Sequence, residues 1–297
     1  MTYRIDTGRV RVKLKTYAEY KPLFEDKNFL IIQGEEVTDK FAGKSIHMGA
    51  INVQSVIRPQ GGKTLQEVMQ NNLDAVIRQR KETGVPIMQH LNHPNFYYSI
   101  TTQNMIDLNG EHFFEVYNGN NAAHNSGDES HPGTEAMWDL INIAYMKNNK
   151  PLLYGLATDD THNYHLFGPE YSNAGRGWVM VNSDSLHADA LITSMEAGKF
   201  YSSTGVTLTE ASVANNVMRV VVKPEARVRY TIEFIGVRKG EKNSFVLQTF
   251  TGTSAQFRIT SDYLFVRAKV KSSKVKTNPV EESEYEAAWV QPVVFTP

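Results

Sequence analysis

With 297 residues, 41% of them hydrophobic, the chain can bury a large core and has room for a big domain and a small one. Lys plus Arg number 31 against 32 Asp plus Glu, a formal net charge of −1 that gives no general electrostatic case for nucleic acid. The lack of cysteine excludes disulfides and thiolate metal sites, leaves nine histidines and many carboxylates as possible ligands, and does not fix a compartment.

The start, Met1-Thr2-Tyr3-Arg4-Ile5-Asp6, does not read as a signal peptide, and no apolar run is long enough to predict a membrane span. Localisation is therefore left open. Residues 29–33 form a short apolar run leading into Gly34-Glu35-Glu36-Val37, and 46–53 predicts a second strand. A long helix follows from Thr64, with Leu65, Val68, Met69, Leu73, Val76 and Ile77 on one face. Thr64 and Glu67 form a capping box, and Gly84 with Pro86 ends the helix. Strands are expected over 85–93 and 113–117, an amphipathic helix over 135–148, a strand over 151–157, and a helix over 188–198. Strands separated by helices imply parallel pairing. The intervening 118–134 loop, rich in Asn, Gly and His, is long enough to be functional.

From Val206 the pattern changes to period two. Val228, Tyr230, Ile232 and Phe234 alternate, as do Leu264, Val266, Ala268 and Val270, which predicts a small antiparallel, β-sandwich-like module. The expected division is 1–205 and 206–297. The basic run Lys269, Lys271, Lys274 and Lys276 reads as a solvated strand face.

Ligand-type residues collect where the first region's strands end. Glu35-Glu36 follows the first, His90 to His93-Pro94 the third, Glu115 to Asn118 the fourth, and Asp160-Thr161-His162 the fifth. His47 sits near the start of the second. Residues two apart on an extended segment point the same way, so Asp160 and His162 are expected to project together, with Asp159 on the other side. Such a pair suits a divalent metal or acid–base chemistry. His90 and His93 are three apart and face opposite sides, which makes His93, nearer the strand end, the ligand and His90 a wall histidine. Asn118 suits either substrate binding or a turn beside Gly119. Arg176 suits either an anion contact or a surface turn. His124 and His131 flank the long loop, where a lone histidine is ordinarily just solvated.

The ordered set Gly34 to Thr38, His47-Met48-Gly49, His93-Pro94, Glu115 to Gly119 and Asp160-Thr161-His162 resembles the PHP (polymerase and histidinol phosphatase) superfamily over roughly residues 28–205. The resemblance implies a distorted (β/α)7 barrel with up to three divalent metal ions (Mn, Zn or Fe) and phosphoester hydrolysis of a small phosphorylated substrate by metal-activated water. Glu36, His47, His93, Asp160 and His162 match its metal ligands. Glu115 and Asn118, with His90 and Arg176, are expected behind them or against substrate. The family's opening His-x-His and Asp-His motifs have no counterpart before Glu36, so the expectation is a barrel incomplete at its amino end and prone to self-association. Two rival readings are a non-catalytic binding or structural protein on a degraded barrel, and a metal-dependent amidohydrolase.

Overall fold

The computed structural model describes the backbone of residues 3–6 and 9–297 and the side chains of residues 11–297. A hairpin of β1 (Tyr3–Asp6) and β2 (Arg9–Val12) precedes α1 (Tyr17–Phe24). β3 (Gly34–Phe41) then turns directly into β4 (Lys44–Ile51). Ala42 and Gly43 between them take φ of 48° and 82°, the two-residue turn whose twist matches that of the strands. α2 (Leu65–Thr83) begins where the Thr64 side chain accepts from the Glu67 N–H and stops at left-handed Gly84. β5 (Met88–Leu91), α3 (Thr102–Asp107), β6 (Phe113–Asn118), α4 (Thr134–Lys147) and β7 (Tyr154–Thr158) follow.

These strands form an open five-stranded sheet in the order β3-β4-β5-β6-β7. The expected (β/α)7 barrel is overturned: among the described residues no sheet closes on itself. β4 pairs antiparallel with both β3 and β5, and only β5-β6-β7 pair in parallel. The tight hairpin at Ala42-Gly43 is the physical reason. It reverses one strand, so α2 connects antiparallel partners instead of making a parallel crossover.

Alternation along the strands creates two unlike faces. On one, Val37, Ile46, Met48, Ala50, Leu91, Phe114 and Val116 join residues of α2 and α4 in the main core. The other face carries Glu36, His47, Gly49 and Ile51, then Met88 and His90, then Phe113 and Glu115, then Leu156 and Thr158. Its apolar members Met88, Phe113 and Leu156 pack against Ile192, Met195 and Phe200.

After β7 come β8 (Trp178–Val181), α5 (Ala188–Glu196), β9 (Phe200–Ser203), β10 (Leu208–Ala214), β11 (Val217–Val222), β12 (Tyr230–Arg238), β13 (Phe245–Thr251), β14 (Ser254–Arg258), β15 (Tyr263–Val275) and β16 (Tyr285–Val293). A six-stranded antiparallel sheet, β13-β12-β15-β16-β9-β8, shares a core with the three-stranded β10-β11-β14. Of the eight period-two residues, Tyr230, Ile232, Phe234, Val266, Ala268 and Val270 are buried in that core and Val228 packs against it, whereas Leu264 packs against Ile143, Val237 and Phe265. The larger sheet straddles residue 205, because β9 pairs with β16 through Ser203 and Ala288. Gln291 bonds both the N–H and the carbonyl of Gly155, and Arg267 holds Asp139 of α4 at 2.7 and 2.8 Å. The basic run is not uniformly solvated: Lys276 is 3% exposed and donates to the Tyr117 hydroxyl and to Glu284. No helix among the described residues is long and apolar enough to cross a membrane.

Candidate metal centre

The polar face of the five-stranded sheet brings three expected ligands together. Glu36 opposes Gly49, and Thr38 opposes His47, so Glu36 and His47 are diagonal neighbours on one face of the β3–β4 ladder. His93 follows the end of β5 and reaches the same place through a left-handed backbone, φ 23°. His47 Nδ1 lies 3.2 Å from His93 Nε2 and 3.4 Å from Glu36 Oε1. One ligand atom from each of Glu36, His47 and His93 falls within 4.8 Å of the others, a grouping that can hold a metal ion. Two imidazole nitrogens converging beside a carboxylate are a fitting donor set for a borderline divalent cation.

Asp160 stands next to this group, with Oδ2 3.8 Å from His93 Nε2. The extended projection expected of Asp160 and His162 does not occur. β7 ends at Thr158, Asp160 is left-handed at φ 49°, and strand parity has no force beyond the strand. His162 instead folds back so that its Nδ1 bonds the Asp160 carbonyl at 2.8 Å, and its side chain is 64% exposed. It lies at the rim, outside the Glu36–His47–His93 group.

A buried layer supports the ligands. Glu115, 2% exposed, accepts from the His93 N–H (2.6 Å), Asn118 Nδ2 (2.8 Å) and Thr158 Oγ1 (2.9 Å), and its Oε1 lies 3.3 Å from His90 Nε2. Asn118 Nδ2 also faces Asp160 Oδ2 at 3.4 Å, so one amide links the buried carboxylate to the site. His90 packs over Gly49, where an added Cβ would lie 2.3 Å from the ring. The expectation of opposite sides for His90 and His93 fails for the same reason as before. His93 has left the strand, and both residues converge on Glu115.

Arg176 is a correction of another kind. It is fully buried, neither a surface turn nor an anion contact, and its guanidinium donates to the carbonyls of Gly119, Gly168 and Asn278. Asp159 accepts the N–H groups of Gly175, Arg176 and Gly177, which fixes the same loop. His124 and His131 both stack on Tyr98. Asn92 and Phe96 were not singled out in the sequence. Asn92 donates to Glu36 Oε1 at 2.8 Å and accepts from the Gly49 N–H, and the Phe96 ring packs on His93 at 4.7 Å. The available signal was position: both flank the His93-Pro94 pair at a strand end.

The charges are set by these contacts. His47 beside Glu36 holds that carboxyl down at about 2, and Glu36 in turn raises His47. Burial pulls His90 down, but the Glu115 bond and charge outweigh it and raise His90 overall. Burial pushes Glu115 up, and its histidine partners overcome this and lower it. Glu111, also buried, is pushed up to about 7. Compared with models of protein families, with curated proteins and with solved structures, the chain matches none.

Proposed function

We propose that the chain is a metal-dependent phosphoesterase related to the PHP superfamily, and that Glu36, His47 and His93 hold its divalent ion, with Asp160 beside them. The observation that carries this reading is the convergence of those three donors within 4.8 Å on one face of the sheet, with His93 and Asp160 just beyond the carboxyl ends of β5 and β7. Mn²⁺, Fe²⁺ or Zn²⁺ suits this donor set and, when bound, supplies Lewis acidity toward phosphoryl oxygens and lowers the pKa of water. The chain's own groups do the rest. Glu36 is ionised at any ordinary pH and needs no proton loss to act as a ligand. Glu115 fixes the His93 backbone and Asn92 fixes the Glu36 carboxylate, so the ligands are oriented in advance. Asp160 Oδ2, beside His93, is placed to take a proton from a water on the substrate side. His162 donates its Nδ1 N–H to the Asp160 carbonyl, which leaves Nε2 as an acceptor at the exposed rim.

The test is metal content and turnover measured together. Protein purified without chelator and supplemented with Mn²⁺ or Zn²⁺ should retain a stoichiometric ion and hydrolyse phosphate monoesters, and E36A and H93A should lose both. Retention below roughly a tenth of an equivalent refutes the metal site. Hydrolysis of N-acyl substrates in place of phosphate esters refutes the phosphoesterase assignment.

A further inference from the structure

The face that carries the metal ligands continues into an apolar cleft. Along β4, His47, Gly49 and Ile51 point the same way, and along β5, Met88 and His90 do. Ile51, Met88 and Leu156 line a cavity of about 250 Å³ that Val181 of β8 and Leu191 and Ile192 of α5 wall on the other side. His90 stands at the junction, over Gly49 and on the cleft wall, with the residue 7% exposed. Its Nε2 faces Glu115, and its buried Nδ1 has no partner. Thr158, also on the wall, already donates its hydroxyl to Glu115. An apolar chamber with His90 on its wall, on the face that carries the ligands, suits a molecule that is apolar over most of its length. A cavity of about 150 Å³ with similar lining accommodates benzene, so this one takes a larger group.

Building on the phosphoesterase reading, we infer that the cleft seats the alcohol part of the ester and that this alcohol is apolar, of the size of a fused aromatic or medium alkyl group, with its oxygen at the His90 end of the cleft and its phosphate toward Glu36, His47 and His93. A polar polyol phosphate of equal size has no partners for its hydroxyls along Ile51, Met88, Leu156 and Ile192, and leaving them unpaired opposes binding.

The experiment measures binding of 1-naphthol by its fluorescence, with no turnover involved, and separately the KM of Mn²⁺-loaded protein for 1-naphthyl phosphate and for glycerol 2-phosphate. Leu191→Trp and Val181→Trp fill the cleft from two different elements, and Mn²⁺ titration of each variant confirms that the ligand group is intact. Naphthol should bind saturably, and each variant should weaken it roughly tenfold or more. KM for the naphthyl ester should rise by the same factor. Absence of saturable naphthol binding, or binding that neither variant alters, overturns the inference whatever the turnover. Naphthol binding that the variants block, with neither ester hydrolysed, supports an apolar ligand for the cleft and sinks the phosphoesterase reading instead.

Discussion

Glu115 is the residue whose replacement tests how the site is held. All four of its partners, the His93 N–H, Asn118 Nδ2, Thr158 Oγ1 and His90 Nε2, present donors to one carboxylate. A carboxamide offers one acceptor oxygen and one NH₂ donor. In Glu115→Gln the cheaper orientation keeps the oxygen toward His93 and Asn118, whose N–H groups cannot reverse, and turns the NH₂ toward Thr158 and His90. The Thr158 hydroxyl can rotate to accept, and His90 can shed its proton to do the same. What is lost is the charge assistance of two bonds and the buried His90–Glu115 ion pair. Since bonds to charged groups contribute about 1.5–3 kcal/mol against about 1 kcal/mol for neutral ones, the cost comes to about 2 kcal/mol. Glu115→Ala removes every acceptor at once, leaves the His93 N–H and the Asn118 amide without that partner and opens a buried cavity, for about 3–5 kcal/mol.

The functional consequence runs through His93. Its N–H bond to Glu115 anchors a left-handed residue whose ring supplies one of the three converging donors. Partners behind metal ligands typically contribute 10–100-fold in affinity. E115Q should therefore weaken Mn²⁺ binding about tenfold and E115A about a hundredfold, by calorimetric titration, with urea unfolding in chelator giving the stability change separately. If E115A loses the expected stability yet binds Mn²⁺ within about twofold of the parent chain, Glu115 does not position the ligands and this account of the site is wrong.

Three further perturbations have defined signs. Glu111, 2% exposed, titrates at about 7 when folded against 4.5 unfolded, so between those values the folded chain keeps a proton that the unfolded chain has released; stability should fall as pH rises through that window, by about 3 kcal/mol in all, and Glu111→Gln should flatten the profile in urea midpoints taken at pH about 5 and about 8. Asp139→Ala leaves Arg267, 2% exposed, without its bidentate partner and should cost about 3–5 kcal/mol by thermal unfolding, whereas the apolar pair Asp139→Leu with Arg267→Met should recover most of it. Gly49→Ala drives a methyl into the His90 ring and should cost about 1–3 kcal/mol while shifting the His90 imidazole resonances; unchanged resonances would show that the ring does not rest there.

Much of the architecture was legible where the signal is local. The Thr64 cap, the Gly84 stop and the apolar stripe of α2 act within a few residues, and the alternation of Tyr230, Ile232 and Phe234 marks buried strand positions directly. What the sequence hid is pairing direction. Nothing in residues 34–51 declares that Ala42-Gly43 makes a two-residue turn, since alanine at positive φ is not a turn signal, and that one reversal separates an open mixed sheet from a barrel. Arg176 was misplaced for a similar reason: glycines on both sides suggest an exposed turn, whereas three distant carbonyls bury it.

At the site, the boundary between what could and could not be read follows the backbone. Glu36 and His47 lie on regular strands, so ladder geometry alone makes them neighbours. His93 and Asp160 lie just beyond strand ends in left-handed conformations, which non-glycine residues adopt only when their surroundings compel it. Those surroundings are visible. Glu115 accepts the His93 N–H, Asn118 spans Glu115 and Asp160, and Asp159 gathers three successive N–H groups of the facing loop. Glu115 and Asn118 are buried to hold their neighbours in place, and burying polar groups for that purpose carries a desolvation cost. A sequence selected for stability alone has no use for a buried Glu–His pair beneath two strained residues. One selected to present imidazole and carboxylate donors at a fixed spacing does, and the same pair places His90 between Glu115 and the apolar cleft.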